Sequence, residues 1–160
     1  MIDKTIKFGV IGMGGMGANH ANLLLNNKIK NASLSAICDT NEFLLKNFPE
    51  TPCYKNASEI FNKKIIDVAI ISTPHRSHIN LGKQALENNI DVIIEKPLAV
   101  TTKQCKDFIN FSKKCTAKFG IMLNQRTNPA FIKLKEMISK GELGKIHRYQ
   151  WTITDWFRTN

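Results

Sequence analysis

Short apolar runs alternate with longer amphipathic stretches along most of the chain. The apolar runs predict six strands, at residues 6–11, 34–38, around 53, 68–71, 92–94 and 119–123. Alternation of strands and helices is typical of a parallel sheet covered by helices on both faces. We therefore predict an α/β fold, a Rossmann-type doubly wound parallel sheet with the strand order 3-2-1-4-5-6.

The amphipathic stretches predict the intervening helices, at about residues 16–26, 41–47 and 77–88. Two further helices are indicated by capping-box patterns, in which a small polar residue precedes Glu or Gln by three positions. These patterns are Asn56-Ala57-Ser58-Glu59 and Thr101-Thr102-Lys103-Gln104, and the second helix is expected to reach about residue 115.

The pattern changes after residue 123. Asn128-Pro129 predicts the start of a helix that ends near residue 140, before Gly141. Residues 146–157 alternate apolar and polar side chains, which predicts a long, half-buried strand. We expect a dinucleotide-binding domain at 1–123 and the beginning of an incomplete α+β substrate or oligomerisation domain at 124–160.

Composition narrows the class of protein. Hydrophobic residues make up 42% and charged residues 22% of the chain, as in ordinary soluble domains. The four cysteines are widely spaced without a C-x-x-C pair, which favours reduced thiols in a cytosol over a zinc site or disulfides. The sequence shows neither a targeting pattern nor an apolar run of about 18 residues. We expect a cytoplasmic protein with no membrane partner.

The net charge of +10 raises the possibility of nucleic-acid binding. The lysines, however, are scattered and often stand beside asparagines, and no recognition motif accompanies them. A solvated, lysine-rich surface explains the charge, so we expect no nucleic-acid partner.

A glycine-rich segment between the first strand and the first helix carries the clearest chemistry. Gly12-Met13-Gly14-Gly15-Met16-Gly17 has the spacing G-x-G-x-x-G. In this context Gly12 permits the tight turn, Gly14 lets a pyrophosphate approach the backbone, and Gly17 lets helix and strand pack closely. The helix N-terminus then offers free N–H groups to the phosphates. The segment predicts dinucleotide binding.

Asp39 ends the second predicted strand, where a carboxylate accepts hydrogen bonds from the adenosine ribose and repels a 2′-phosphate. No arginine follows closely, so we expect NAD, with NADP less favoured. Asp39 could instead, or in addition, cap the following helix. Methyltransferases also combine a glycine loop with an acidic residue, but the three-glycine spacing argues against them.

Two further motifs follow the fourth and fifth strands, at the sheet edge where ligands of open α/β folds bind. Ser72-Thr73-Pro74 precedes His78, and Glu95-Lys96-Pro97 places two ionisable groups at the cofactor crevice. His75 and His78 lack a suitable third ligand, so we interpret them as loop residues and expect no metal.

Together these motifs resemble, in order and spacing, the glucose–fructose oxidoreductase/inositol dehydrogenase (Gfo/Idh/MocA) family. Further matches are Asn124-Gln125-Arg126, the segment 141–146 (G-E-L-G-K-I) and the W-x-R-T run at Trp156-Phe157-Arg158-Thr159. The resemblance covers nearly the whole chain and implies an NAD(P)-dependent dehydrogenase that acts on a sugar, an inositol or a related polyol. It also implies a homo-oligomeric full-length protein.

The resemblance implies a role for individual residues. Lys96 would be catalytic, hydrogen-bonding the substrate hydroxyl and assisting proton transfer. Glu95 would hold the cofactor side, and Pro97, after a cis peptide bond, would direct the lysine. Arg126 and Arg158 would line the nicotinamide and substrate region. The expected cofactor-binding set is Gly12, Met13, Gly14, Gly15, Met16, Gly17, Asp39, Ser72, Thr73, Pro74, His78, Glu95, Lys96, Pro97, Arg126, Trp156 and Arg158.

The chain departs from the family pattern in length. Family members continue into a glycine-rich stretch with downstream Asp and His residues, so we expect this chain to be a fragment or truncated product that is inactive alone. Two alternatives stay open. One is a non-catalytic dinucleotide-binding module, and the other is a family member that uses NAD for glycoside cleavage through a transient keto intermediate.

Overall fold

The computed structural model describes residues 4–152 and contains a six-stranded parallel sheet in the order β3-β2-β1-β4-β5-β6. This order confirms the predicted Rossmann-type topology. The strands are β1 (Ile6–Ile11), β2 (Ala32–Cys38), β3 (Cys53–Tyr54), β4 (Val68–Ile71), β5 (Asp91–Ile94) and β6 (Phe119–Ile121). The helices are α1 (Gly15–Leu25), α2 (Glu42–Leu45), α3 (Ala57–Lys63), α4 (His75–Glu87), α5 (Thr102–Ser112) and α6 (Pro129–Ser139).

The sheet is covered on both faces, which explains the continuous apolar runs. Successive residues of a strand point to opposite faces. Thus Val10 and Ile70 join one hydrophobic cluster with Met13, Ala21 and Leu24. Their neighbours Ile11 and Ile71 join a second cluster on the other face, which includes Ile60, Phe61, Leu86 and Phe108. Both sides of the sheet are therefore core, as parallel sheets require.

Local capping signals determine several helix starts. Thr101 and Gln104 form the predicted reciprocal capping box of α5. Asn56 caps α3 by accepting from the Ser58 N–H, so the cap is confirmed but its bond goes to Ser58 and not to Glu59. The helix predicted at 77–88 begins earlier, at His75, with Pro74 as its cap residue.

The chain divides into two compact units between Met122 and Leu123. In the second unit a single 3₁₀ turn (Asn124–Thr127) precedes α6, whose cap Asn128 accepts from the Ala130 N–H. Gly141, with a φ of 71°, follows the helix in the left-handed conformation, as predicted.

The strand predicted at 146–157 is wrong as far as the structure describes it. Residues 146–152 adopt no regular structure, and residues 153–157 lie outside the described part. Tyr149 is 66% exposed and Trp151 53% exposed, although the rings of Trp151 and Phe131 lie 5.0 Å apart. A strand is stabilised by its hydrogen-bonded neighbour, and no described segment of this unit provides one. Within residues 4–152 no helix has the length and apolarity needed to cross a bilayer.

Candidate active site

The glycine loop brings α1 unusually close to β1. Gly12 has a φ of 91°, a conformation that favours glycine. A Cβ atom on Gly17 would lie 1.7 Å from the Gly12 carbonyl oxygen, so no larger residue fits there without moving the helix. The structure thus shows the tight turn and the close helix packing that the sequence predicted for these two glycines.

The N-terminus of α1 is open to a ligand. The cap residue is Gly14, which has no side chain to accept from the N–H groups of the first turn. The first turn of α1 contains no acidic residue. A Cβ atom on Gly14 or Gly15 would meet no atom within 4 Å. The first-turn N–H groups and the positive end of the helix dipole therefore face free space, which suits a pyrophosphate.

Asp39 connects the end of β2 to the glycine loop. Its Oδ2 accepts a hydrogen bond from the Met13 N–H at 2.6 Å, and its Oδ1 accepts one from the Asn41 N–H at 2.8 Å. The cap of α2 is Asn41, which accepts from the Phe43 N–H, so the alternative of Asp39 as the helix cap is wrong. Each carboxylate oxygen keeps further acceptor capacity, which is what two ribose hydroxyls need.

A cavity of about 860 Å³ lies at the carboxyl ends of β1, β2 and β4. This volume is within the range of small-molecule and cofactor sites. Its lining includes six residues that the sequence motifs predicted, namely Gly12, Gly14, Asp39, Ser72, Thr73 and Pro74. It also includes residues that sequence reasoning missed, namely Thr40, Leu44, Lys55, Asn56, Ser77, Asn80 and Leu81.

The cavity is lined by a hydroxyl without a hydrogen-bond partner in the described part of the chain, that of Ser72, and by a thiol that stays protonated, that of Cys38. Within the described residues, the Ser72 hydroxyl is buried without a hydrogen-bond partner, which is unusual for a buried polar atom and fits a ligand donor or acceptor. Burial, assisted by the negative charges of Asp39 and Glu59, raises the pKa of the Cys38 thiol to about 12. Cys38 is therefore a neutral wall residue and not a nucleophile.

The Glu95-Lys96-Pro97 segment follows β5 and is held from two helices. Glu95 is only 6% exposed, and its Oε1 lies 2.8 Å from His20 Nε2 of α1. Its Oε2 accepts from the Lys96 N–H at 3.2 Å. Lys96 itself is exposed, and its bond to Pro97 is cis, as the resemblance implied. The Glu95 carboxylate is buried against His20, and neither Glu95 nor Lys96 is among the residues that line the cavity, so their place in the cofactor crevice stays a prediction.

His78 is a buried helix residue, so its interpretation as a loop residue is wrong. It lies in α4 with its Nδ1 at 2.9 Å from the Pro97 carbonyl oxygen and its Nε2 at 2.8 Å from the Thr73 carbonyl oxygen. His75 is the first residue of the same helix. Across residues 4–152, no group of three potential ligands is arranged to hold a metal ion.

The loop, the acidic strand end and the two later motifs thus converge at one edge of the sheet. Residues 6–122 match the Gfo/Idh/MocA oxidoreductases, a family with an NAD-binding Rossmann fold. The chain belongs to this family. Its first unit carries the NAD-binding Rossmann fold, and Asp39, the glycine loop and Lys96 lie on that unit.

Several relatives of the Gfo/Idh/MocA chain are known. It is 30% identical over 149 residues to an inositol 2-dehydrogenase of Salmonella typhimurium, covering 88% of this chain and 44% of that protein. It is 23% identical to a glycosyl hydrolase family 109 protein from Shewanella, covering 95% of this chain and 37% of that one. It is also similar in fold to scyllo-inositol dehydrogenase from Lactobacillus casei with bound NAD(H) and scyllo-inositol. That likeness has a TM-score of 0.82 and 23% identity over 88% of this chain and 43% of that one. The chain therefore spans less than half the length of these relatives.

Eleven predicted site residues are not among those that line this cavity. Eight of them belong to the glycine loop or to the segments around β4 and β5, namely Met13, Gly15, Met16, Gly17, His78, Glu95, Lys96 and Pro97. Arg126 lies in the 3₁₀ turn of the second unit and is exposed. Trp156 and Arg158 lie outside the described residues. Their roles stay predictions.

Proposed function

We propose that this chain is the cofactor-binding part of an NAD-dependent dehydrogenase that oxidises a secondary hydroxyl of an inositol, a sugar or a related polyol. The observation that carries the proposal is the cavity between the uncapped N-terminus of α1 and the Asp39 carboxylate, with Lys96 on the same edge of the sheet. The inositol dehydrogenases among the relatives support the substrate class.

In this proposal the glycine loop binds the pyrophosphate of the cofactor and Asp39 binds its adenosine ribose. The N–H groups of the first turn of α1 donate to the pyrophosphate. Asp39 accepts from the ribose hydroxyls, while the Met13 and Asn41 N–H groups hold its carboxylate in place. Ser72 supplies a hydroxyl that has no protein partner within the described residues. NAD, when bound, supplies the hydride acceptor.

Lys96 acts on the substrate in this proposal. Its amine hydrogen-bonds the reacting hydroxyl and accepts the hydroxyl proton as the hydride leaves the same carbon. Within residues 4–152 the amine makes no hydrogen bond to a protein group, so it is available to a substrate. The peptide groups on either side of Lys96 are anchored by Glu95, His20 and His78.

The experiment that tests cofactor choice is calorimetric titration with NAD and NADP. We expect NAD to bind more tightly, because the Asp39 carboxylate accepts from ribose hydroxyls and repels a 2′-phosphate. Asp39→Ala should weaken NAD binding by about 10- to 100-fold, from loss of charged hydrogen bonds worth roughly 1.5–3 kcal/mol. Asp107→Ala, which removes an exposed carboxylate from α5, is the matched control.

The Asp39→Asn variant distinguishes the effect of the negative charge on cofactor choice from the effect of the hydrogen bond that holds the glycine loop. Its amide oxygen can still accept from the Met13 N–H, whereas the negative charge is gone, so the preference for NAD over NADP should narrow. Equal affinities of the unaltered chain for NAD and NADP would contradict the proposed role of Asp39.

A second candidate function is glycoside cleavage with NAD as a recycled cofactor, favoured by the glycosyl hydrolase family 109 relative. The two functions differ in the fate of the cofactor. Net oxidation accumulates NADH, which absorbs in the near ultraviolet, whereas a recycled cofactor shows no net reduction during glycoside turnover.

A further inference from the structure

Lys96 owes its position to its backbone neighbours. The side chain is exposed and, within residues 4–152, makes no hydrogen bond that would fix the amine. The preceding residue is anchored to the sheet, because the Glu95 N–H donates to the Ile71 carbonyl oxygen at 2.9 Å. The position of the Lys96 backbone therefore depends on the contacts of its two neighbours, Glu95 and Pro97.

His20 constrains the Glu95 side of the segment. It lies on α1, three residues beyond Gly17, and its side chain is 11% exposed while that of Glu95 is 8% exposed. One Glu95 oxygen meets the His20 ring and the other accepts from the Lys96 N–H. A buried carboxylate needs such partners, and without His20 it would turn toward solvent and release the Lys96 N–H.

His78 constrains the Pro97 side. Its ring is fully buried, and its two nitrogens face the carbonyl oxygens of Pro97 and Thr73. Each contact is a hydrogen bond when the facing nitrogen carries a proton. Because Thr73 lines the cavity, His78 connects the cavity wall directly to the residue that follows Lys96.

We infer that His20 and His78 are positioning residues that fix the backbone on either side of Lys96, from two helices, at the carboxyl edge of the sheet. The inference rests on the proposed role of Lys96. Helix α1 follows the glycine loop, and α4 contributes residues to the cavity lining. In this arrangement the same two helices position both the cofactor and the Lys96 amine. Neither histidine needs to touch cofactor or substrate.

The first test measures amide hydrogen exchange in the unaltered chain and in His20→Ala, His78→Ala, His20→Gln and His78→Gln. Exchange at the Glu95 and Lys96 amides, which donate to the Ile71 carbonyl oxygen and to Glu95 Oε2, should rise about 10- to 100-fold in the alanine variants, because the segment loses hydrogen bonds to buried groups. Amides of β1 and β4 should keep their protection. Glutamine retains an N–H donor, so it should restore part of the protection, and His147→Ala, an exposed histidine of the second unit, should change nothing.

The second test measures acylation of the Lys96 amine by mass spectrometry, with and without NAD, alongside the NAD dissociation constant. In the unaltered chain NAD should slow acylation of Lys96. In the alanine variants NAD affinity should be largely retained while the protection of Lys96 is lost, a separation that a general structural role would not produce.

The outcomes distinguish the inference from the proposed function. Unchanged exchange at Glu95 and Lys96 in folded alanine variants overturns the inference, as does faster exchange spread evenly over the sheet. If an alanine variant does not fold, amide exchange is measured in the glutamine variant and in Glu95→Gln, which removes the charge at constant shape. Exchange in these variants then decides whether the histidines position Lys96. An unaltered chain that binds no NAD defeats the proposed function, and the exchange result then decides the positioning role alone.

Discussion

At the residue scale, Cys38 illustrates how the sheet edge combines burial with negative charge. Cys38 is 4% exposed and precedes Asp39, at the end of a strand whose last two residues, Ile37 and Cys38, join the two hydrophobic clusters. Burial and the nearby carboxylates disfavour the thiolate and raise the pKa to about 12 from the ordinary 9.0. The folded chain therefore holds a proton that the unfolded chain releases above pH 9.

This proton makes stability depend on alkaline pH. A raised pKa in the folded state contributes stability that is complete below pH 9 and declines as the pH rises from 9.0 toward about 12. Urea titrations at pH 8, 9 and 10 should show this decline, and Cys38→Ala should show a shallower one. Cys105→Ala, which leaves Cys38 in place, is the control. Identical pH slopes in Cys38→Ala and the unaltered chain would refute the assignment.

At the scale of elements, the packing of α1 on β1 depends on the missing side chain of Gly17. A Cβ at this position would overlap the Gly12 carbonyl oxygen, so Gly17→Ala must displace the helix. We expect a loss of at least about 1–3 kcal/mol in unfolding free energy, the range for overpacked sites, together with loss of NAD binding.

Gly14→Ala is the matched comparison for Gly17→Ala. The added methyl meets no protein atom within 4 Å, so stability should be retained, but it would occupy the space where the pyrophosphate approaches. Thermal melts and NAD titrations of both variants test the distinction. A Gly14→Ala variant that binds NAD normally would show that the phosphates lie elsewhere.

The opposite edge of the sheet carries an acid-sensitive contact between elements. Asp67, just before β4, accepts from the Lys7 N–H of β1 at 2.9 Å and lies 3.4 Å from the Lys4 amine. The backbone hydrogen bond from Lys7 and the charge of Lys4 lower the pKa of the Asp67 carboxyl. A lowered pKa contributes stability above the ordinary value near 3.8, and this stability is lost as the pH falls through the folded-state value.

Asp67→Asn should therefore be less stable than the unaltered chain at pH 7, with the difference shrinking as the pH falls below about 4. Denaturant titrations across this range measure it. Asp107→Asn, on the exposed face of α5, controls for the loss of one carboxylate. A difference that stays constant with pH would mean that the hydrogen bond, and not the charge, accounts for the effect.

Elements differed in how far the sequence could predict them. The caps Thr101 and Asn128 act on N–H groups two or three residues away, so a local pattern suffices. The strand predicted at 146–157 is not formed over residues 146–152, because a strand depends on a partner that alternation does not reveal. His20 was missed for a similar reason. Its spacing from Gly17 is visible in the sequence, but its partner Glu95 is 75 residues away.

At the scale of the whole molecule, the two units differ in how well their apolar side chains are covered. The first unit contains both hydrophobic clusters. In the second, several large apolar side chains are about half exposed or more: Ile132, Ile138, Ile146, Tyr149 and Trp151. Large apolar side chains left exposed in this number favour association.

A polypeptide of these 160 residues should accordingly bind NAD, self-associate, and fail to oxidise any polyol. Lys96 is its only residue with a proposed part in proton transfer, and general acid–base groups typically contribute about 10²–10⁴-fold each. The inositol 2-dehydrogenase relative is more than twice as long, so most of that enzyme has no counterpart in the 160 residues. Light scattering measures the association, and Ile138→Lys with Trp151→Lys should reduce it without changing NAD affinity. A monodisperse monomer that reduces NAD with inositols or hexoses at about 1–10³ per second would contradict the prediction.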